Sequence, residues 1–361
     1  MTIDRESVIQ TLRQYTEPHL LCDLASANCI NNIEINDGRV HLALELGFAV
    51  QQTYRDQLAR ELTEQLKGLP GVEQVVVDIA VKIRTHTVQP GLKPLAQIKN
   101  IIAVASGKGG VGKSTVAANL ALALQAEGAR VGILDADIYG PSQTRMLGIR
   151  SAPEAKDENH MLPLDGHGLQ VMSAGALVEE ETPMIWRGPM VTRALEQLLS
   201  ETSWHDLDYL LVDMPPGTGD IQLTLAQKVP VSGAVIVTTP QDIALQDARK
   251  GLKMFEKVNV DVLGIIENMG LHICSNCGHE EPIFGSGGGQ AMANQYGVHL
   301  LGSLPLDITI REQTDSGCPT VIAAPTSRIA EDYRRTARLV AAQLARRGIS
   351  NGSSFPDLAA T

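Results

Sequence analysis

The chain has 361 residues, of which 43% are hydrophobic and 20% are charged, and its formal net charge is −11. This length is enough for more than one domain with a sizeable core, and the composition is typical of a globular protein. The acidic balance argues against a nucleic-acid partner or an acidic membrane surface, because either would require a basic face.

The N-terminus and the cysteine content favour a cytoplasmic protein. Residues 1–10 read MTIDRESVIQ and contain no apolar core of the kind that a secretory signal has. No stretch reaches the roughly 20 apolar residues of a membrane helix, so we expect no membrane partner. Five cysteines, an odd number, do not indicate a disulfide framework, and thiols stay reduced in the cytoplasm.

Residues 1–84 are predicted to form a small α+β domain with the order helix, strand, strand, helix, strand. ESVIQTLRQY has helical spacing, and Asn36-Asp37-Gly38 is a hairpin signal between two alternating apolar patterns. YRDQLARELTEQLKGL is an amphipathic helix that ends at Gly68, and VEQVVVDIAVKI is a strand. The hairpin pattern predicts these inward-facing residues: Ile33, Ile35, Val40, Leu42, Leu44 and Leu46.

The rest of the chain is predicted to be a linker, an α/β domain and a tail. Residues 85–98 contain two prolines and a glycine and indicate the linker. Over residues 99–347, apolar runs such as RVGILD, YLLVDM and GAVIVTTP alternate with helical patterns. Runs that are apolar on both faces predict a mostly parallel sheet covered by helices on both sides. Residues 348–361 are expected to be a flexible tail.

The segment 107–114 fits the pattern G-x-x-x-x-G-K-S/T between a predicted strand and a predicted helix. A triphosphate requires a concave nest of backbone N–H groups, and glycine permits both the close approach and the unusual dihedral angles. In this pattern Lys113 reaches the β- and γ-phosphates and the Ser114 hydroxyl binds Mg²⁺. We therefore expect ATP and Mg²⁺ on a P-loop with these members: Gly107, Lys108, Gly109, Gly110, Val111, Gly112, Lys113, Ser114 and Thr115.

Three aspartates at the ends of predicted strands complete this site. Asp135 and Asp137 follow the run VGIL, and Asp213 follows YLLV. Ligands of open α/β sheets bind at the carboxyl ends of the strands, so we expect these carboxylates near the phosphates. Asp213 suits a magnesium ion bound through water, and Asp135 and Asp137 are candidates for orienting a water molecule.

The phosphate nest does not explain Lys108, but a family resemblance does. SGKGGVGKST resembles the deviant Walker A motif of the dimeric P-loop ATPases that include MinD, ParA and the nitrogenase iron protein. The resemblance implies a nucleotide-gated homodimer in which Lys108 reaches the partner's nucleotide and acts in catalysis with Lys113. It also implies that Asp137 positions the attacking water and that Asn268, in GIIENMG, contacts the adenine base.

Cys274 and Cys277 form a C-x-x-C pair ahead of a glycine-rich stretch, and two thiolates at this spacing can point to one metal. Zinc and iron–sulfur clusters both require four ligands, so the pair is incomplete by itself. Three completions are open. His272 and His279 could add ligands for zinc, the pair could be a redox disulfide, or two chains could each donate two cysteines to one cluster.

The order of several signatures resembles the Mrp/ApbC-type iron–sulfur cluster carriers over about residues 100–345. These signatures are DADIYGPS, WRGPM, LLVDMPPGTGD, VTTPQDIAL, ENM and CSNCGHEEPIFGSGG. The resemblance implies a 4Fe–4S cluster bridged between subunits by Cys274 and Cys277, its transfer to apoproteins, an upstream cluster assembly scaffold, and slow ATP hydrolysis. The alternatives are a zinc-stabilised scaffold without catalysis and an ATP-gated electron donor resembling the nitrogenase iron protein.

The N-terminal unit resembles the iron–sulfur assembly domain that is often fused to these carriers, with one departure. Relatives often carry a cysteine in a T-P-A-C-P-like turn, where this chain reads LGFAVQQ, so we expect a docking module without a thiol role. Cys22, Cys29 and Cys318 are expected to be packed hydrophobes. Trp186 and Arg187 are candidates for a partner contact.

Overall fold

The computed structural model describes residues 3–176, 188–274 and 276–350. Its contacts divide the chain into two compact units, one of Met1–His86 with Ala341–Thr361 and one of Thr87–Val340. The domain boundaries drawn from the sequence stay predictions. Of the tail, residues 351–361 lie outside the described residues, as do Trp186 and Arg187.

The first unit is a small α+β structure that contains the predicted helix, strand, strand, helix and strand, with two additional two-residue strands after the first helix. A three-stranded sheet has the order β3-β4-β5, in which β3 and β4 are antiparallel and β4 and β5 are parallel. Asp37 and Gly38 form the hairpin turn with φ values of 45° and 75°, as a tight two-residue hairpin requires. The elements are α1 (Arg5–Arg13), β1 (Thr16–Glu17), β2 (Cys22–Asp23), β3 (Ile30–Asn36), β4 (Arg39–Leu46), α2 (Gln52–Lys67) and β5 (Gln74–Val81).

The core of this unit lies between β4 and α2. Every second residue of β4 is buried, and α2 buries leucines at a spacing of four, as the strand and helix periods dictate. The final helix adds Gln343, whose amide donates to the carbonyl of His19 at 2.9 Å. The buried side chains of the two elements are Val40, Leu42, Leu44, Leu46, Leu58, Leu62 and Leu66.

The second unit contains a nine-stranded sheet, and the predicted mostly parallel α/β fold is confirmed. The strand order is β13-β12-β11-β6-β10-β7-β9-β8, and β14 pairs with β12. Within the described part of this sheet, only β8 and β13 pair antiparallel to their neighbours. The strands are β6 (Ile98–Ala105), β7 (Val131–Asp135), β8 (Leu164–Gly166), β9 (Leu169–Ser173), β10 (Leu207–Asp213), β11 (Gly233–Thr238), β12 (Val262–Ile273), β13 (Glu280–Glu281) and β14 (His299–Leu306).

Helices cover both faces of this sheet, since every residue of β10 and β11 is buried. None of the described helices is long and apolar enough to cross a membrane. The helices are α3 (Lys113–Ala126), α4 (Gln143–Met146), α5 (Gly188–Glu201), α6 (Asp220–Lys228), α7 (Asp242–Lys257), α8 (Gly288–Tyr296), α9 (Ile308–Asp315), α10 (Thr320–Ala323) and α11 (Arg328–Ser350).

One edge of the sheet collects the polar residues of the predicted site. Asp213 at the end of β10 pairs with Asp135 at the end of β7 and with Val104 near the end of β6. The P-loop leaves β6 directly after Ala105. The parallel register therefore brings residues that are far apart in sequence to one place.

Replacing Leu42 with alanine is expected to destabilise the first unit. Leu42 is fully buried on the inner face of β4, so its removal leaves a cavity that costs about 2–5 kcal/mol. Native-state hydrogen exchange of the β4 amides in the full chain measures the loss. His41→Ala, on the exposed face of the same strand, is the control and should cost about 1 kcal/mol or less. Equal losses in the two variants would contradict this assignment of the faces.

Candidate functional site

The P-loop borders a cavity of about 230 Å³ at the carboxyl edge of the sheet. Gly110 and Gly112 have φ values of 82° and 78°, a region that glycine enters without steric cost. Gly112 is the N-cap of α3 and has no side chain to cap it. The first N–H groups of this helix are therefore available to an anion, and the helix dipole favours negative charge there. The lining is formed by residues 108–115 with Ser106, Asp137, Ser142, Met146 and Pro216.

Lys113 begins α3 and lies buried in an ion pair with Asp213, the last residue of β10. Its ammonium also lies 3.1 Å from the Ser114 hydroxyl. Gln143 completes this cluster, because its amide nitrogen donates to Asp213 at 2.8 Å and to the Ser114 carbonyl at 2.9 Å. The role of Gln143 was not predicted from the sequence. The helix α4 has four residues and buries only Gln143, so it gives no periodic signal.

Asp135 does not line the cavity, and its carboxylate binds backbone groups of the segment that follows β7. Its Oδ2 accepts hydrogen bonds from the backbone N–H groups of Ser142 at 2.8 Å and Gln143 at 2.9 Å, and from the Ser173 hydroxyl at 3.2 Å. Complete burial, together with the negative charge of Asp213, raises the pKa of the Asp135 carboxyl. In this arrangement Asp135 anchors the segment that carries Asp137.

Asp137, by contrast, lines the cavity together with Lys108 and Ser142. Burial raises the pKa of the Asp137 carboxyl, and the nearby positive charge of Lys113 opposes that rise. The structure therefore brings Asp137 to the mouth of the phosphate loop and leaves Asp135 and Asp213 in the layer beneath it. Their roles in catalysis and cofactor binding stay predictions.

One helix and one strand outside the motif fix the position of the P-loop. A Cβ atom at Gly107 would lie 2.1 Å from the backbone carbon of Asp247 in α7, so only glycine fits there. On the other side the Asn268 amide nitrogen donates to the Val111 carbonyl at 2.9 Å. Asn268 is buried against the loop, and its contact with an adenine base stays a prediction.

The cysteine pair lies at the tip of a hairpin between β12 and β13. The Cys274 N–H donates to the His279 carbonyl, and the Gly278 N–H donates to the Cys274 carbonyl, each at 2.9 Å. The backbone N–H groups of Cys277 and Asn276 donate toward the Cys274 sulfur and lower the pKa of that thiol. The Cys277 side chain is also within hydrogen-bonding reach of Cys274. The turn thus holds two sulfurs together and favours a thiolate.

The histidines proposed for a zinc site do not join these cysteines. His272 lies with its Nδ1 3.1 Å from the Leu306 carbonyl, and His279 is exposed. Within residues 3–176, 188–274 and 276–350, no group of three or more histidine, cysteine or acidic side chains could hold a metal ion. One chain therefore offers two thiols at this hairpin, where zinc or an iron–sulfur cluster requires four ligands.

The other three cysteines are also free thiols. Cys29 is buried, and that burial raises the pKa of its thiol to about 12. Burial also raises the pKa of the half-buried Cys22. Cys318 is half-buried. Packing of this kind suits small hydrophobic side chains with unreactive thiols.

Replacing Gly112 with alanine is expected to weaken nucleotide binding by about tenfold or more. Its φ is 78°, and an added Cβ would lie 2.3 Å from the Asn268 amide nitrogen, so the loop must move. Gly128→Ala is a matched control, since φ is 101° there but no atom lies within 4 Å of the added Cβ. Equilibrium binding of a fluorescent ATP analogue measures both variants. Equal affinities for the two would show that the contact with Asn268 does not shape the loop.

Comparison with known families covers both units of the chain. Residues 97–341 match the family described as NUBPL iron-transfer P-loop NTPase. Residues 5–78 match the family described as iron-sulfur cluster assembly protein. The two matches together span most of the described residues.

Several curated proteins are similar along nearly their whole length. The iron-sulfur cluster carrier protein of Escherichia coli strain K12 is 52% identical over 344 residues, covering 94% of this chain and 92% of that protein. The carrier protein of Pseudomonas fragi is 62% identical over 274 residues, covering 75% and 96%. The iron-sulfur cluster transfer protein NUBPL of Mus musculus is 50% identical over 266 residues, covering 72% and 83%.

Two solved structures are similar to this chain. A nucleotide-binding protein from Archaeoglobus fulgidus in complex with ADP is 38% identical with a TM-score of 0.55, covering 61% of this chain and 87% of that one. The cell division ATPase MinD of Pyrococcus furiosus has a TM-score of 0.50 at 23% identity, covering 67% and 98%, and shows the same fold. Since the first family match covers more than half of its length, the chain belongs to the NUBPL iron-transfer P-loop NTPases.

Proposed function

We propose that this protein binds an iron–sulfur cluster on Cys274 and Cys277 and transfers it to apoproteins, with ATP bound at the P-loop. The observation that carries the proposal is the hairpin tip, where backbone hydrogen bonds among Cys274, Gly278 and His279 close a turn that places two thiols beside each other. The relatives from E. coli and mouse, named as an iron-sulfur cluster carrier protein and an iron-sulfur cluster transfer protein, support the same cargo.

The cargo is a 4Fe–4S cluster shared by a homodimer. Such a cluster is held by four cysteine thiolates, and each chain supplies two at this hairpin. Cys277 is exposed and Cys274 is half-buried, so thiols of an acceptor protein have access to the cluster irons. An exposed ligand set suits a cluster that must leave, whereas a resident redox centre is better held in a closed pocket.

The P-loop suits ATP with Mg²⁺. The cavity is lined by the loop backbone, and two buried oxygens beside it, Ser142 Oγ and Gln143 Oε1, have no hydrogen-bond partner among the described residues. A hydroxyl, carboxylates and water are the ligands that Mg²⁺ prefers. Ser114 would hold the ion, with Asp213 and Asp137 orienting its waters. Bound there, Mg²⁺ would neutralise charge on the phosphates.

Hydrolysis is expected to require the second chain. Lys108 lines the cavity but forms no ion pair in the part of the chain that the structure describes. Lys113, in contrast, is paired with Asp213 in its own chain. In the proposed dimer Lys108 stabilises charge on the partner's nucleotide, and Asp137 orients the attacking water.

Several parts of the function stay predictions. They are the cytoplasmic location, the apoprotein acceptors, an upstream cluster assembly scaffold and a docking role for the first unit. The zinc-stabilised scaffold and the ATP-gated electron donor are the alternatives, and the metal content of the purified protein distinguishes them.

Anaerobic reconstitution with iron and sulfide is expected to give about four irons per dimer. Cys274→Ala and Cys277→Ala should each lose this iron, because either removes two of the four ligands from a symmetric dimer. Cys318→Ala, a half-buried cysteine away from the hairpin, is the control. Iron, sulfide and zinc are counted per chain, and an apo-acceptor is then added. One zinc per chain without iron favours the scaffold, and iron that stays on the dimer while passing electrons favours the electron donor.

Mixing two inactive variants tests the role of Lys108 in the partner's site. Lys108→Ala should keep ATP affinity and lose hydrolysis by about 10³-fold, whereas Lys113→Ala should lose affinity. In a mixed dimer the Lys108→Ala chain keeps its own Lys113 and receives Lys108 from its partner, so one site in two is restored. Phosphate release by equimolar mixtures measures this recovery. A mixture as inactive as its components would exclude a shared site.

A further inference from the structure

We propose that Glu267 is a positioning residue that couples the P-loop to the cysteine hairpin. The inference rests on the proposed function, in which one chain carries both an ATP site and the cysteines that bind the cluster. Glu267 is only 4% exposed, precedes Asn268 in β12, and lies seven positions before Cys274. Residues 285–289, which are rich in glycine, follow the hairpin and lead into α8.

The strand β12 touches both sites. Asn268 contacts the P-loop through the Val111 carbonyl, and an added Cβ at Gly112 would lie 3.5 Å from the Met269 Cε atom. Five residues after Asn268 the same strand ends at Ile273, and the cysteine turn begins. A displacement of the P-loop therefore acts on a strand whose end carries Cys274.

The contact with the P-loop is made by a bulge in β12. Glu267 pairs with Ser303 and Leu271 pairs with Pro305, so three residues of β12 lie opposite one residue of β14. Met269 within the bulge has φ of 58°, a left-handed conformation that is uncommon for a residue with a side chain. Bulges re-aim side chains, and this one turns Asn268 toward the loop.

Glu267 also binds the segment that follows the hairpin. Its Oε2 accepts a hydrogen bond of 2.6 Å from the Gly289 N–H, and Oε1 lies 3.4 Å from the Ser303 hydroxyl. Gly289 lies in the first turn of α8, where the N-cap Gly287 supplies no side-chain acceptor. The carboxylate of Glu267 thus replaces a capping side chain for α8.

The strand that enters the hairpin and the segment that follows it are therefore both tied to β12. On the N-terminal side β12 leads directly to Cys274, and on the C-terminal side Gly289 is bonded to Glu267. Space around this bond is tight, because a Cβ at Gly289 would lie 3.0 Å from the Glu267 side chain. When the P-loop moves Asn268, the neighbouring Glu267 moves as well. The segments before and after the hairpin then move with Glu267.

Hydrogen–deuterium exchange of the full chain, without a cluster, tests this coupling. Adding a non-hydrolysable ATP analogue with Mg²⁺ should change exchange by about fivefold or more in peptides covering 272–290, as well as in the P-loop peptide. In Glu267→Ala the change in peptides 272–290 should disappear while the P-loop response remains. An unchanged response in Glu267→Ala, or no response of 272–290 in the unaltered chain, would overturn the proposal.

Three further variants separate coupling from simple destabilisation. Glu267→Gln keeps an oxygen that can accept from Gly289 and should retain the response. Ser303→Ala removes the other partner of Glu267 and should also retain it. Gly289→Ala crowds the bond from the opposite side and should reduce the response even if Glu267→Ala does not fold. Because no cluster is present, this result is independent of the iron count, and failure to load iron would refute only the proposed cargo.

Discussion

The buried ion pair between Lys113 and Asp213 is the interaction on which the nucleotide site depends. Both side chains are almost completely removed from water, and an unpaired charge in such a place would be strongly destabilising. Gln143 and Ser114 supply the hydrogen bonds that the pair leaves open. This small cluster joins the first turn of α3, the end of β10 and the start of α4. A phosphate that attracts Lys113 therefore affects α3, β10 and α4 together.

The two candidate sites differ in burial in a way that matches their tasks. The candidate nucleotide site lies at the carboxyl edge of the sheet, where Asp135 and Asp213 are completely buried. The cysteines lie on a short hairpin at the end of β12, where Cys277 is exposed and Cys274 is half-buried. Phosphate chemistry gains from excluded water and fixed dipoles, whereas a cluster in transit must be reached by another protein. β12 is the element that belongs to both environments.

Local patterns in the sequence predict the fold and the two motifs well. The hairpin at Asn36-Asp37-Gly38, the alternating apolar runs and the P-loop each depend on neighbouring residues, and the structure has the expected elements there. Gln143, Glu267 and the contact of Asn268 with Val111 were not predictable in this way. Their partners lie 70, 22 and 157 positions away in the chain. Periodicity reports which face of an element is buried, and it carries no information about the partner of a buried polar group.

The geometry of the cysteine turn has a consequence for the empty carrier. Two thiols that are within hydrogen-bonding reach, one of them with a lowered pKa, are also well placed to react with each other. In the proposed cycle, once the cluster has left the pair, an oxidant such as molecular oxygen can take two electrons and two protons from the two thiols and close a disulfide. In that cycle, the unloaded pair therefore needs a reducing environment before the next cluster can be accepted.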